Sequence, residues 1–336
     1  MPNPSINGQA IPIPQKRLKY DISATGLDTL EITSENVFDD LDFTQSGKND
    51  QGTLVRRARS KYLNSALSGR LIYLNSPLRD KYRDTYYCSH TIRVNDDNAQ
   101  SMFCKNRWCI ICNRIRTAQL IQTYLPTLDT WTQKQFVTLT VPNCQAQGLS
   151  QKMGDMLKAF TKIKDRERKE KRKIIGIRKL EITYNRAKDD YHPHYHFILK
   201  DADSCHEIVK QWLKHFPDAT NAAQDWKPAD KNSCFELFKY FTKLTSNSSK
   251  DKSINVSALD TIFQSIQGVR TFQPFGFIAH KCQPPPENVE MQKQIYETSI
   301  YTWEKSLSDF LDKDSGEFLT NYKPSKHDVN FTKNIR

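Results

Sequence analysis

The sequence predicts an α+β fold with a metal-binding strand at its centre and a cysteine-rich segment ahead of it. Three observations carry that expectation. His192-Pro193-His194-Tyr195-His196 runs directly into Phe197-Ile198-Leu199, and strand side chains alternate between faces, so the three histidines share one face. Phe136-Val137-Thr138-Leu139-Thr140-Val141 is a β-branched alternating run stopped by Pro142, hence a second strand, with Thr138 and Thr140 on one face. Between them, residues 148–172 space Leu149, Met153, Met156, Leu157, Phe160 and Ile163 as one side of a helix.

In chain order, residues 1–60 read as a disordered acidic tail. They are rich in Pro, Asn, Ser and Gln, and residues 21–50 hold eight Asp/Glu against the single Lys48, too little apolar surface to fold alone. The sign then reverses. Residues 51–93 carry nine Lys/Arg against Asp80 and Asp84. Over the whole chain, 50 Lys+Arg oppose 38 Asp+Glu, a formal net charge of +12, which points to a polyanionic partner, with nucleic acid the default. No apolar run reaches the length of a membrane span and no basic-then-apolar leader opens the chain, so a soluble cytoplasmic protein is expected.

Residues 61–125 form a basic, cysteine-rich segment. Cys88, Cys104, Cys109 and Cys112 give the spacing Cys-x15-Cys-x4-Cys-x2-Cys, which suits a closed, structural tetrahedral zinc site; His90 is an alternative to Cys88, and buried thiols without metal are the bland alternative. Arg107, Arg114 and Arg116 flank these cysteines as candidate phosphate contacts. Residues 113–125 read as a helix ending at Pro126.

Residues 126–283 form the central domain. A strand over 174–184 turns through 185–190 back onto the histidine strand, putting Glu181 beside the imidazoles. Imidazoles plus a carboxylate suit a divalent ion with open positions. Residues 161–180 hold ten Lys/Arg against Asp165, Glu167 and Glu170, which makes Lys171, Arg172, Lys173 and Arg178 candidate DNA contacts, with Arg270 farther on; alone, such a run is more often a solvated face. Helices are expected over 205–216, 233–244 and 257–268, a loop over 218–231, and a strand through 275–278. On the 233–244 helix Glu236, Tyr240 and Lys243 form a polar stripe opposite Phe235, Phe238 and Phe241. Residues 284–336 read as a peripheral helical and polar extension, with a helix over 291–311.

Taken together, the Cys104-Lys-Asn-Arg-Trp-Cys109-Ile-Ile-Cys112 segment, the Phe136–Asn143 run, His194-Tyr195-His196 and the Tyr-x2-Lys of Tyr240 and Lys243 resemble the rolling-circle plasmid replication initiators of the HUH endonuclease superfamily. The resemblance covers residues 85–282; where many relatives have proline, this chain has Ile110, which is not a ligand position. It implies a five-stranded antiparallel sheet with flanking helices. It further implies a catalytic Mg²⁺ or Mn²⁺ on His194 and His196, with Glu181 our choice of third ligand and His192 the alternative, and Tyr240 as nucleophile with Lys243 as its phosphate- or metal-contacting companion. The protein is similar to the single-tyrosine branch, in which Glu236 stands where a second tyrosine would. The activity implied is metal-dependent nicking of origin DNA, as duplex, hairpin or single strand, through a 5′-phosphotyrosyl intermediate, with host helicase and replication machinery as partners. A relaxase or transposase of the same chemistry, and a zinc-dependent DNA-binding regulator without activity, are the competing readings.

Overall fold

A computed structural model describes residues 50–94, 99–238, 253–278 and 299–336, together with the backbone of short strand pairs before residue 50. From residue 50 the elements are α1 (Asp50–Leu71), α2 (Arg79–Tyr86), β1 (Thr91–Val94), β2 (Ala99–Phe103), α3 (Ile110–Asp129) and β3 (Gln135–Thr140). There follow α4 (Leu149–Lys169), β4 (Gly176–Asn185), β5 (Asp190–Leu199), α5 (Ala202–His215), β6 (Asp225–Pro228) and α6 (Lys231–Phe238). The last are α7 (Val256–Ser265), β7 (Phe272–Phe275), β8 (Ser299–Glu304), β9 (Asp309–Asp312) and α8 (Lys326–Lys333). The chain divides into two compact units, one made of Met1–Gln119, Ser253–Asp260 and Cys282–Arg336, the other of Leu120–Lys252 and Thr261–Lys281.

The second unit is built on a five-stranded antiparallel sheet in the order β6-β3-β5-β4-β7, which puts the histidine strand β5 in the middle. Register then fixes neighbours: His194 lies opposite Thr140 on one side and Glu181 on the other, and His196 opposite Thr138 and Lys179. Residues paired across a sheet share a face. One face therefore carries the three histidines, Thr138, Lys179 and Glu181. The other carries Tyr195, Phe197, Leu139 and Leu180, all buried.

That apolar face is covered by α4 and α5. The expected stripe of α4 turns inward, with Leu149, Met153, Met156, Phe160 and Ile163 buried, and Phe160 sits 5.2 Å from Phe197 while Trp212 of α5 sits 5.7 Å from Tyr195, ring to ring. Burying side chains of this size contributes about 1.5–3 kcal/mol each. Asp201 caps α5 by accepting from the Ser204 backbone N–H. Close strand approach is needed at Gly176, where a Cβ would lie 2.4 Å from the Ile198 carbonyl oxygen.

The first unit holds a second antiparallel sheet, β9-β8-β1-β2, extended at its edge by the short strand Leu18–Tyr20. Ala58, Ile92, Trp303, Phe310 and Tyr322 form its core. Helix α8 starts at a Ser325/Asp328 capping box, in which each side chain satisfies a backbone N–H of the other's turn.

Several expectations need correcting. Helix α1 begins at Asp50, inside the expected tail. Pro126 does not end α3, which runs another turn to Asp129 because Leu128 is fully buried. Part of the expected loop 218–231 is the edge strand β6, with every residue exposed and hence no apolar alternation to reveal it. The strand expected over 275–278 lies earlier, over Phe272–Phe275, and stops at Gly276, whose φ is +80°. Of the helix expected over 291–311, residues 291–298 lie outside the described residues and the rest is the hairpin of β8 and β9, because Trp303 and Phe310 pack into the sheet core of the first unit.

Candidate functional site

Two groups of metal-ligating side chains come together among the described residues, one in each unit: Glu181, His194 and His196, and Cys88, Cys104, Cys109 and Cys112. In each group the ligand atoms all lie within 4.8 Å of one another.

In the sheet group, His194 Nε2 and His196 Nε2 approach to 3.1 Å, and Glu181 Oε2 is 3.6 Å from His196 Nε2. All three residues are buried. The far nitrogens are taken by fixed partners: His194 Nδ1 by the His192 carbonyl oxygen at 3.1 Å and His196 Nδ1 by the Thr138 hydroxyl at 3.1 Å. Such partners set ring orientation and leave Nε2 aimed inward. Two ring nitrogens facing each other need a proton or a cation between them, and an octahedral ion with bonds of about 2.1 Å puts adjacent ligands about 3 Å apart. The donor set therefore fits a divalent ion.

His192, the alternative ligand, takes another role. Its Nδ1 is 2.7 Å from Asn143 Oδ1, and its ring stacks on His194 at 5.1 Å. Burial, followed by the neighbouring His194, lowers its pKa to about 4. It braces the cluster from the side and is not among the grouped ligands. Phe136 stacks on the opposite member, 5.2 Å from the His196 ring.

Helix α6 brings Glu236 to the same face. The Lys179 ammonium donates to the Glu236 backbone carbonyl at 3.4 Å and pairs with Glu181 Oε2 at 3.1 Å. Tyr240 and Lys243 lie outside the described residues. Sequence reasoning gave no role to Lys179, Phe136 or Asn143; the signal for the first two was their place on the strand alternation that holds the histidines.

In the cysteine group, Cys112 Sγ lies 3.5 Å from Cys88 Sγ and 3.7 Å from Cys104 Sγ. Tetrahedral zinc with bonds of about 2.3 Å separates its sulfurs by about 3.8 Å, so the geometry suits that ion. Backbone N–H groups of Cys104 and Cys112 donate to the sulfurs of Cys88 and Cys109. Burial pushes the Cys88 and Cys109 thiols well above their ordinary range, which a bound divalent cation would reverse. His90 is not in the group. Buried Lys61 anchors the segment by donating to the carbonyls of Tyr86 and Cys88 at 2.8 and 2.7 Å.

The expected DNA contacts divide by exposure. Lys171, Lys173 and Arg270 are exposed, and Arg107, Arg114 and Arg116 are half-buried beside the cysteines. Arg172 is exposed but paired with Glu167 at 2.7 Å and with Glu170. Arg178 is a correction: it is 1% exposed, on the apolar face, donating to Tyr195 Oη at 2.8 Å, Gln273 Oε1 at 3.0 Å and the Arg270 carbonyl at 3.1 Å. Strand alternation turns it away from the histidines, so it cannot reach a phosphate there.

The sequence pattern of a family described as Replication protein matches residues 96–308. The chain is 30% identical over 164 residues to a Staphylococcus aureus protein named Protein rep, covering 42% of this chain and 69% of that one. Identity to the Protein rep of Streptococcus pneumoniae is 29% over 136 residues, 35% of this chain and 42% of that one. For the Protein rep of Lentilactobacillus hilgardii it is 26% over 215 residues, 54% and 68%. No solved structure matches.

Proposed function

The chain belongs to the Replication protein family, and from that membership we propose that it initiates rolling-circle replication of a plasmid by nicking one origin strand with Tyr240. The observation that carries this reading is the buried Glu181–His194–His196 group on the two central strands, facing the helix of Glu236.

A phosphodiester resists attack because nucleophile and target are both electron-rich, so the site must neutralise charge and align the attacking group. A Mg²⁺ or Mn²⁺ ion, when held by Glu181, His194 and His196, supplies polarisation of a non-bridging oxygen of the scissile phosphate. The Tyr240 oxygen forms the new bond to phosphorus as the bond to the 3′ oxygen breaks. The phenolic proton ends on that oxygen as a 3′-OH. Lys243 contacts the phosphate. Phenol at its ordinary pKa of about 10 is a weak nucleophile, and nearby cations favour its ionised form. The 5′-phosphotyrosyl link keeps the phosphodiester energy, so a later 3′-OH can displace the tyrosine and rejoin the strand.

Termination needs a second cleavage. With Tyr240 the one tyrosine of the Glu236-x3-Tyr240-x2-Lys243 pattern, Glu236 acts as general base on a water. The four cysteines hold zinc as a structural ion beside Arg107, Arg114 and Arg116, which with Lys171, Lys173 and Arg270 contact origin DNA. Host helicase and replication proteins then extend the free 3′-OH.

The test is a covalent adduct. Wild-type protein incubated with the origin strand and Mn²⁺ should yield a protein–DNA species on denaturing gels, and end-sequencing of its DNA gives the nick site. Tyr240→Phe should yield none; nicking by that variant at the wild-type rate would overturn the assignment.

A further inference from the structure

Lys179 sits among the proposed ligands without being one. It lies opposite His196 in the strand register, its side chain is 9% exposed, and its ammonium is 3.1 Å from Glu181 Oε2 and 3.4 Å from the Glu236 backbone oxygen. A buried lysine needs a charged partner, so a plain structural ion pair would explain the first contact. It does not explain which oxygen is used. Lys179 takes Oε2, the oxygen that also faces His196 Nε2 at 3.6 Å. The ammonium therefore sits on the carboxylate oxygen that faces the imidazole cluster, where a cation held by the cluster would also draw on it.

Among the described residues, with both imidazoles neutral, Glu181 is the only negative ligand in the group, and Lys179 offsets its charge. Like charges gathered on one carboxylate in a buried site oppose each other strongly. An added anionic oxygen, such as that of a nucleic-acid phosphate, would relieve this opposition.

We propose that Lys179 is a positioning residue that couples divalent-cation binding to DNA binding. It holds Glu181 and the Glu236 helix in place while opposing a cation at the shared carboxylate until a backbone phosphate supplies the missing negative charge. The inference rests on the nicking reading above and adds to it a reason for the ion to enter with its substrate.

The experiment measures Mn²⁺ affinity of the full chain by the electron paramagnetic resonance signal of the free ion, with and without an origin-strand oligonucleotide, using a His194→Ala/His196→Ala variant as the blank. Wild type should bind Mn²⁺ about tenfold more tightly with the oligonucleotide than without it, and an oligonucleotide with a neutral methylphosphonate at the nick site should give no such gain. Lys179→Met should bind Mn²⁺ about tenfold more tightly than wild type without DNA and gain less than about twofold on adding it, while Lys179→Arg, which keeps the positive charge, should not show the tighter DNA-free binding of Lys179→Met. Equal wild-type affinity with and without DNA overturns the coupling, and that measurement does not depend on any variant folding. So does a folded Lys179→Met, with wild-type circular dichroism, that binds Mn²⁺ no more tightly than wild type. If wild type forms the covalent adduct but Lys179→Met matches it in Mn²⁺ affinity, only this inference falls. If wild type neither binds Mn²⁺ above the blank nor forms an adduct, the nicking reading falls with it.

Discussion

The Thr138 hydroxyl lies 3.1 Å from His196 Nδ1, so the neighbouring strand fixes which way that imidazole turns. Partners of this kind typically change metal affinity about 10- to 100-fold when removed. Thr138→Val keeps the shape and removes the hydroxyl. It should weaken Mn²⁺ binding at least tenfold with little change in the urea midpoint, as read by equilibrium dialysis. Unchanged affinity would mean that the ring is oriented by Phe136 stacking instead.

Glu236 should be separable from the first cleavage. Glu236→Ala is expected to form the tyrosine adduct at near the wild-type rate but to leave it unresolved, so adduct accumulates after a full round of synthesis on a circular template. Loss of the first nick by this variant would reassign Glu236 to nucleophile alignment.

The two proposed ion sites should respond differently to chelation. EDTA should stop cleavage, with activity returning on Mn²⁺ or Mg²⁺, the ions suited to oxygen-rich phosphate sites. One zinc should stay with the chain under mild chelation and leave only with thiol-reactive mercurials, taking with it the thermal transition of the unit that contains Cys88–Cys112. Cys109→Ser should lose that zinc, and elemental analysis reads the result directly. Zinc retained at full occupancy by Cys109→Ser would remove Cys109 from the ligand set.

Acid should act on the first unit through Asp328. Burial alone would raise its carboxyl, but hydrogen bonds from Arg59, Ser325 and Tyr322 more than offset this and hold it below the usual carboxylate range; the Arg59 Nε contact is 2.8 Å. A folded-state pKa below the unfolded value contributes stability that is present above about pH 4 and is lost as pH falls through the lower folded value. Asp328→Asn removes the carboxylate charge facing Arg59 Nε and should cost about 3 kcal/mol at neutral pH, with the gap to wild type narrowing below about pH 4. Urea midpoints across that range check the sign; a gap that widens with acid would contradict it.

The central sheet was legible because its strands obey a simple rule. The histidines and the Phe136–Thr140 alternation fix their own faces, and the position of Glu181 follows once 185–190 is read as the turn. What was not legible depends on partners far away in sequence. Helix α1 buries Lys61, Asn64 and Ser68 against backbone carbonyls and neighbouring turns, so it shows no clean apolar stripe. Arg178 looked like part of a basic run, yet strand alternation alone separates it from Lys179, one residue on and on the other face. The role of Lys179 needed the register with His196 and the approach of α6, neither of which is a local property. Strands β8 and β9 carry their signal in Trp303 and Phe310, whose cluster is completed by Ala58 and Ile92 from far earlier in the sequence.

Strand β8 pairs with β1 through Tyr301 opposite Ile92 and Thr302 opposite Thr91, so one sheet joins strands that the sequence of the other unit separates. On a ribosome working at about 5–20 residues per second, residue 94 and residue 304 emerge roughly 10–40 s apart. For that interval the outer edge of β1 has no strand to pair with, while the five strands of the histidine sheet, the last of them Phe272–Phe275, are all made before β8 begins at Ser299. The nascent chain thus acquires its proposed cutting centre before the unit that holds its cysteines is complete, and a chain that stops short of residue 299 carries an open sheet edge as a standing invitation to aggregate.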